Sequence, residues 1–211
     1  MENIDELIDR LARESGGVKP APHPFKLGLK WMGWATVYLF LSLLFSGLRP
    51  DLMMKLHESW FMAEIMALVA VFVATSVSAA VLSFPDLHQM RRMAFSPLIA
   101  FALLMLVLIG AWHADSPPAP LPVHSFECTI SITLFSLLPT VWTFYAMRKF
   151  ASTHFCWGGS VAALSAFSVS ALWLRLHEVN DSVLHVVEWH YLPMIAFGLA
   201  GWGLGKKILK W

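Results

Sequence analysis

Apolar residues fall into six long runs, roughly 31–48, 60–84, 94–112, 126–147, 157–176 and 188–205, separated by short polar connections. A helix needs about 20 predominantly apolar residues to cross the hydrocarbon core of a bilayer. Each run is close to that length, so the pattern predicts an all-α fold: a polytopic membrane bundle of six transmembrane helices. The stretch before the first run follows another rule. Ile4, Leu7, Ile8 and Leu11 recur at i, i+3, i+4 and i+7, which places them on one helical face. Asp5, Glu6, Asp9, Arg10 and Arg13 take the remaining positions. Gly16 and Gly17 end the periodicity, and Pro20, Pro22 and Pro24 predict an extended tether to the first membrane helix. Two regions follow: residues 1–26 as an amphipathic helix with its tether, and residues 27–211 as the membrane domain.

Composition supports this division. Hydrophobic residues make up 57% of the chain and charged residues 14%, too little charge to cover a water-soluble domain. The formal net charge of +1 hides a segregation. With the N-terminus in the cytoplasm, that side holds Arg10, Arg13, Lys19, Lys26, Lys30, Arg91, Arg92, Arg148, Lys149, Lys206, Lys207 and Lys210. Only Arg49, Lys55 and Arg175 fall on the other side. The positive-inside rule therefore places both termini in the cytoplasm. No secretory signal is expected, because the first apolar run starts far in and acids accompany the bases before it. Nothing in this distribution suggests nucleic acid.

The connections carry the chemistry. Pro117, Pro118, Pro120 and Pro122 predict an extended outer excursion. Pro139 and Pro193 are expected to kink or open their helices. Gly201 and Gly205 allow a close helix approach, either within one bundle or across a homodimer. Glu64 should lie about a turn below the headgroups, where an ionisable group needs a partner such as Arg49 or Arg175.

Imidazole, carboxylate and thiol groups gather on the outer side. His124, Glu127 and Cys128 stand at the mouth of the fourth helix. His177, Asp181, His185 and Glu188 fall at i, i+4, i+8 and i+11, one face if their connection is helical. This mixture suits zinc or another borderline divalent metal. The same acids are also favoured at helix N-termini by the helix dipole, and interfacial histidines are ordinary. Cys128 has three readings: a metal ligand, a lone thiol in an oxidising compartment, and a small packing residue. No Cys-x-x-Cys, HExxH or phosphate-cradling pattern occurs, and no catalytic activity is expected.

Several local patterns together resemble a known family. They are Asp5-Glu6-Leu7-Ile8, then Gly47-Leu48-Arg49-Pro50-Asp51-Leu52, then Cys128 with Ser131, Ile132 and Pro139. His177 with Asp181-Ser182, then Trp189, and a basic C-terminal tail complete the series. In order and spacing these resemble the bacterial integral-membrane anti-sigma factors typified by the negative regulator of sigma factor F. The resemblance implies a multi-pass inner-membrane protein that sequesters an extracytoplasmic-function sigma factor. Ile4, Asp5, Leu7, Ile8 and Leu11 would bind the sigma factor, and Cys128, His177, Glu178 and Asp181 would receive an envelope signal. Family members often carry a second outward cysteine just after the histidine that follows helix five; Glu178 stands at that place here. The other cysteine, Cys156, is expected across the bilayer from Cys128, which excludes a disulfide between them. The alternative function is a small metal or solute transporter or sensor with an outward His/Glu/Cys site.

Overall fold

The computed structural model describes residues 4–14, 22–85, 90–114 and 125–210. The amphipathic leader forms α1 (Ile4–Glu14), and none of its residues is buried. The first span, α2 (Pro24–Ser46), begins at Pro24, where a proline lacks only an amide that the first turn could not pair. His23 caps it, its Nδ1 accepting the Phe25 amide at 3.3 Å. Pro24 thus opens the helix instead of extending the tether. A short α3 (Leu52–Lys55) occupies the next connection, followed by α4 (Ser59–Leu82). Then come a single turn, α5 (Arg91–Ala94), and the spans α6 (Ser96–Ala114), α7 (Phe126–Met147) and α8 (Phe155–His177). The last span, Val183–Ile208, is composite. It runs as α9 (Val183–His185), a π-helical turn (Val186–Tyr191) and α10 (Leu192–Ile208). Among the described residues, six helices are therefore long and apolar enough to cross a membrane.

The bundle is built around α8. Every residue from Gly158 to Arg175 is buried, enclosed by α2, α4, α7 and α10. Lipid is as apolar as leucine, so helices in a membrane associate through close packing, not through expulsion of water. Glycine, alanine and serine line α8 and permit that closeness. A Cβ on Gly159 would lie 2.6 Å from Gly205 Cα, and one on Gly201 would lie 2.7 Å from Ala163 Cβ. The Gly201–Gly205 pair is thus used within the chain, against α8. Buried hydroxyls cap backbone carbonyls, as in Thr75 to Val71 (2.7 Å) and Ser168 to Leu164 (2.7 Å), or cross between helices, as in Ser76 with Ser165 (2.8 Å).

Both intramembrane prolines free a carbonyl, and both carbonyls are taken up by a neighbouring helix. Pro139 cannot donate to Phe135 O, which instead accepts the Tyr38 hydroxyl of α2 at 2.8 Å. Pro193 cannot donate to Trp189 O, which accepts the Thr129 hydroxyl of α7 at 2.8 Å. At Pro193 the helix also widens. The Leu192 amide reaches back to Val187 O, an i to i−5 bond. The outward faces of α2, α6, α7 and α10 expose residues such as Phe40, Leu44, Leu106, Ile109, Leu138 and Leu199, the surface a bilayer covers.

Candidate functional site

Among the described residues, the buried acidic, basic and imidazole side chains are Arg49, Glu64, Arg175, His185 and His190, and all lie at one end of the bundle. The middle of the bundle contains hydroxyls bonded to backbone or to one another, and no buried charged side chain lies there among the described residues. The polar end divides into two clusters that share the connection 178–182.

The first cluster is a set of ion pairs. Gly47 ends α2 with φ +83°, a conformation glycine adopts without strain. The turn it makes feeds Arg49 inward, where the Arg49 amide donates to Leu176 O at 3.0 Å. The Arg49 guanidinium is fully covered and forks onto two carboxylates. It meets Asp51 at 2.7 and 2.9 Å and Asp181 at 2.7 and 2.8 Å. Lys55 adds a contact to Asp181 at 3.1 Å. Deeper in, Arg175 binds Glu64 through two 2.8 Å contacts, and the Tyr191 hydroxyl donates to the same carboxylate at 2.6 Å. Glu64 has thus found the partner its depth requires. Phe61 lies 5.3 Å from the Arg49 guanidinium and 5.1 Å from that of Arg175.

The charges set the titration. Burial raises the Asp181 carboxyl, but the Arg49 hydrogen bond, the Arg175 charge and Lys55 outweigh it and hold the group below the usual carboxylate range. The Arg49 hydrogen bond does the same to Asp51. Arg49 itself is raised, first by its bond to Asp181 and then by Asp51.

The second cluster brings Cys128, Glu178, His185 and His190 together, with one ligand atom from each within 4.8 Å of the others. Cys128 comes from the first turn of α7 and Glu178 from the extended residue after α8. His185 Nε2 lies 3.1 Å from one Glu178 oxygen, and His190 Nε2 lies 3.0 Å from the other. The two ring nitrogens are 3.2 Å apart. Cys128 Sγ stands 3.4 Å from both carboxylate oxygens and 3.8 Å from His185 Nε2. Ser125 Oγ, at 3.0 Å from His185 Nδ1, fixes that ring from behind. Burial raises the Glu178 carboxyl, but the His190 hydrogen bond and the neighbouring histidine charges hold it below its ordinary value.

This differs from the ligand set expected from sequence. The 177–188 segment is not one helix. Glu178 is extended and helix resumes only at Val183, so the i, i+4, i+8, i+11 face does not form. His177 remains on the far side of that break. Its Nδ1–H donates to Gly47 O at 2.9 Å, and its ring stacks on Trp173. Asp181 is held by arginine, while Glu127 and Glu188 are exposed. His124 lies outside the described residues. Of the expected ligands, Cys128 and His185 converge with Glu178. His190 was missed because five residues span about 140° around an α-helix. The π turn removes most of that angle and sets the His190 ring edge-on to His185. Pro193 was the available clue.

Cys156 lies in the first turn of α8, at the opposite end from Cys128, and both thiols are free.

A family model described as "Negative regulator of sigma F" (NrsF) matches residues 11–211. The chain belongs to the NrsF family. It is also similar to the anti-sigma-F factor NrsF of Caulobacter vibrioides, with 26% identity over 212 residues covering 98% of this chain and 99% of the relative. No solved structure matches. Membership in the NrsF family gives the chain a regulatory role, as a negative regulator of a sigma factor. The match begins at Leu11, so most of α1 precedes it, whereas both polar clusters lie inside it.

Proposed function

We propose that this protein is a bacterial inner-membrane anti-sigma factor that sequesters an extracytoplasmic-function sigma factor through α1 and releases it on an envelope signal. The observation that carries this reading is the unsatisfied face of α1. Ile4, Ile8 and Leu11 are 72%, 57% and 53% exposed, although they share one side of a regular helix. An isolated helix of this length is marginal in water, so it gains most of its order by docking into an apolar groove. Burying Ile4, Leu7, Ile8 and Leu11 would contribute about 1.5–3 kcal/mol each, offset in part by the ordering of the segment.

Asp5 and Glu6 occupy the first turn of α1, where they would meet basic residues of a protein that binds promoter DNA. A membrane-surface helix would show more Lys and Arg on its polar face. Arg91, Arg92, Arg148, Lys149, Lys206 and Lys207 are exposed at the bundle end opposite the buried ion pairs. That asymmetry supports a cytoplasmic leader and an envelope-facing polar end. Regulation is then stoichiometric: the sigma factor is held or free, and no bond is made or broken.

The test is Leu7→Asp. Promoter activity dependent on the sigma factor should rise to the level of a strain lacking this protein. The purified variant should keep the helicity and melting temperature of the parent. Inhibition that persists in the folded variant would remove the groove mechanism.

A further inference from the structure

The geometry points to a tetrahedral metal site for Zn(II), or a similar borderline divalent ion, formed by Cys128 Sγ, one Glu178 oxygen, His185 Nε2 and His190 Nε2. It stands on this cluster alone and is separate from the sigma-binding reading. Three observations carry it.

The spacing comes first. Zinc bond lengths place N and O ligands of a tetrahedron about 3.3 Å apart and sulfur about 3.6 Å from either. The observed separations are 3.2 Å between imidazole nitrogens, 3.1 Å from His185 Nε2 to one Glu178 oxygen and 3.0 Å from His190 Nε2 to the other. Sulfur lies 3.4 Å from the carboxylate and 3.8 Å from His185 Nε2. Four side chains from three separate segments thus bring one ligand atom each within 4.8 Å of the others.

The second is hydrogen-bond arithmetic. Each Nε2 carries at most one hydrogen, yet each faces both a carboxylate oxygen and the other Nε2. Protons cannot satisfy all of these contacts at once, whereas a central cation turns every lone pair toward itself. The charges also balance. A thiolate, a carboxylate and two neutral imidazoles make −2, which a divalent ion cancels where His185 and His190 are fully buried. Binding would transfer the Cys128 thiol proton to solvent as the sulfur–metal bond forms.

The third is support. Ser125 holds His185 from its Nδ1 side, as outer partners of metal-bound imidazoles do. The π turn, an irregularity concentrated at functional sites, brings His190 into register with His185. Glu178 retains 20% side-chain exposure, which leaves a route for the ion from the surface.

The experiment uses the full chain in detergent, stripped with a chelator and titrated with Co(II). One equivalent should give the intense visible bands of a tetrahedral ion together with thiolate-to-metal charge transfer. Zn(II) should abolish both by displacement. Cys128→Ser should lose the charge-transfer band. His190→Ala should weaken Co(II) binding by at least the roughly 10–100-fold that outer-shell changes cost. His177→Ala and Glu188→Gln should bind as the parent does. A parent protein with no saturable binding, or with the weak bands of octahedral Co(II), would overturn the site. So would an unchanged spectrum in folded Cys128→Ser. The parent spectrum needs no variant, so a substitution that fails to fold leaves the test intact.

Discussion

Glu178 and Asp181 lie three positions apart in one short connection, yet they belong to different kinds of chemistry. Asp181 meets Arg49, Arg175 and Lys55, permanent cations that complete its charge and leave nothing to add. Glu178 meets two imidazoles and a thiol, groups that carry no fixed positive charge. The first cluster is a lock between the Arg49 turn and the last connection. The second is a set of converging ligand atoms. A count of acids and histidines would merge the two, and the guanidinium groups separate them.

The largest effect is expected at the deepest pair. Arg175→Leu leaves Glu64 buried without its counter-ion, which should cost about 3–5 kcal/mol, read as lost thermal stability in detergent. The double variant Arg175→Met with Glu64→Leu should recover most of that loss, because well-packed apolar groups replace such pairs at little cost. Failure to recover would mean that the pair does more than satisfy itself.

Asp181→Asn comes next. It removes the charge shared by three cations and should cost roughly 1.5–3 kcal/mol, the range for hydrogen bonds to charged groups. It should also change the response to acid. A carboxylate held below its unfolded value of about 3.9 stabilises the fold fully above that pH. The contribution fades as pH falls through the lower folded value. The parent should therefore lose stability on acidification below about pH 4, and Asp181→Asn should show a shallower decline. An identical slope would remove Asp181 from the lock.

Tyr38→Phe leaves the Phe135 carbonyl freed by Pro139 without its donor, a loss of about 1 kcal/mol. Thr129→Val does the same to the Trp189 carbonyl, and it should also loosen the π turn beside His190. Hydrogen exchange would place that effect in residues 186–192. Smallest of all, Glu188→Gln should change stability by no more than about 0.5 kcal/mol, as expected for an exposed position.

The six spans were legible because the bilayer demands continuous apolar length, which hydropathy reports directly. The Glu64 partner was legible for a related reason, since an ionisable group at that depth cannot stand alone. The ligand cluster was only half legible. Cys128 and His185 lie near helix starts that the pattern locates, but the face joining His177 to Glu188 assumed a continuous helix. The chain instead extends at Glu178 and widens before Pro193, two backbone events that periodicity does not encode. The role of Asp181 was hidden because Arg49 is distant in sequence and reaches it only through the Gly47 turn.

We propose that α1 is the segment that captures the sigma factor. The most direct measurement is co-purification of the intact protein, and of a form lacking residues 1–14, with the extracytoplasmic-function sigma factor encoded nearest to it. Capture by the intact protein alone is the expected result. Equal capture by the shortened form, or capture by neither, would contradict it.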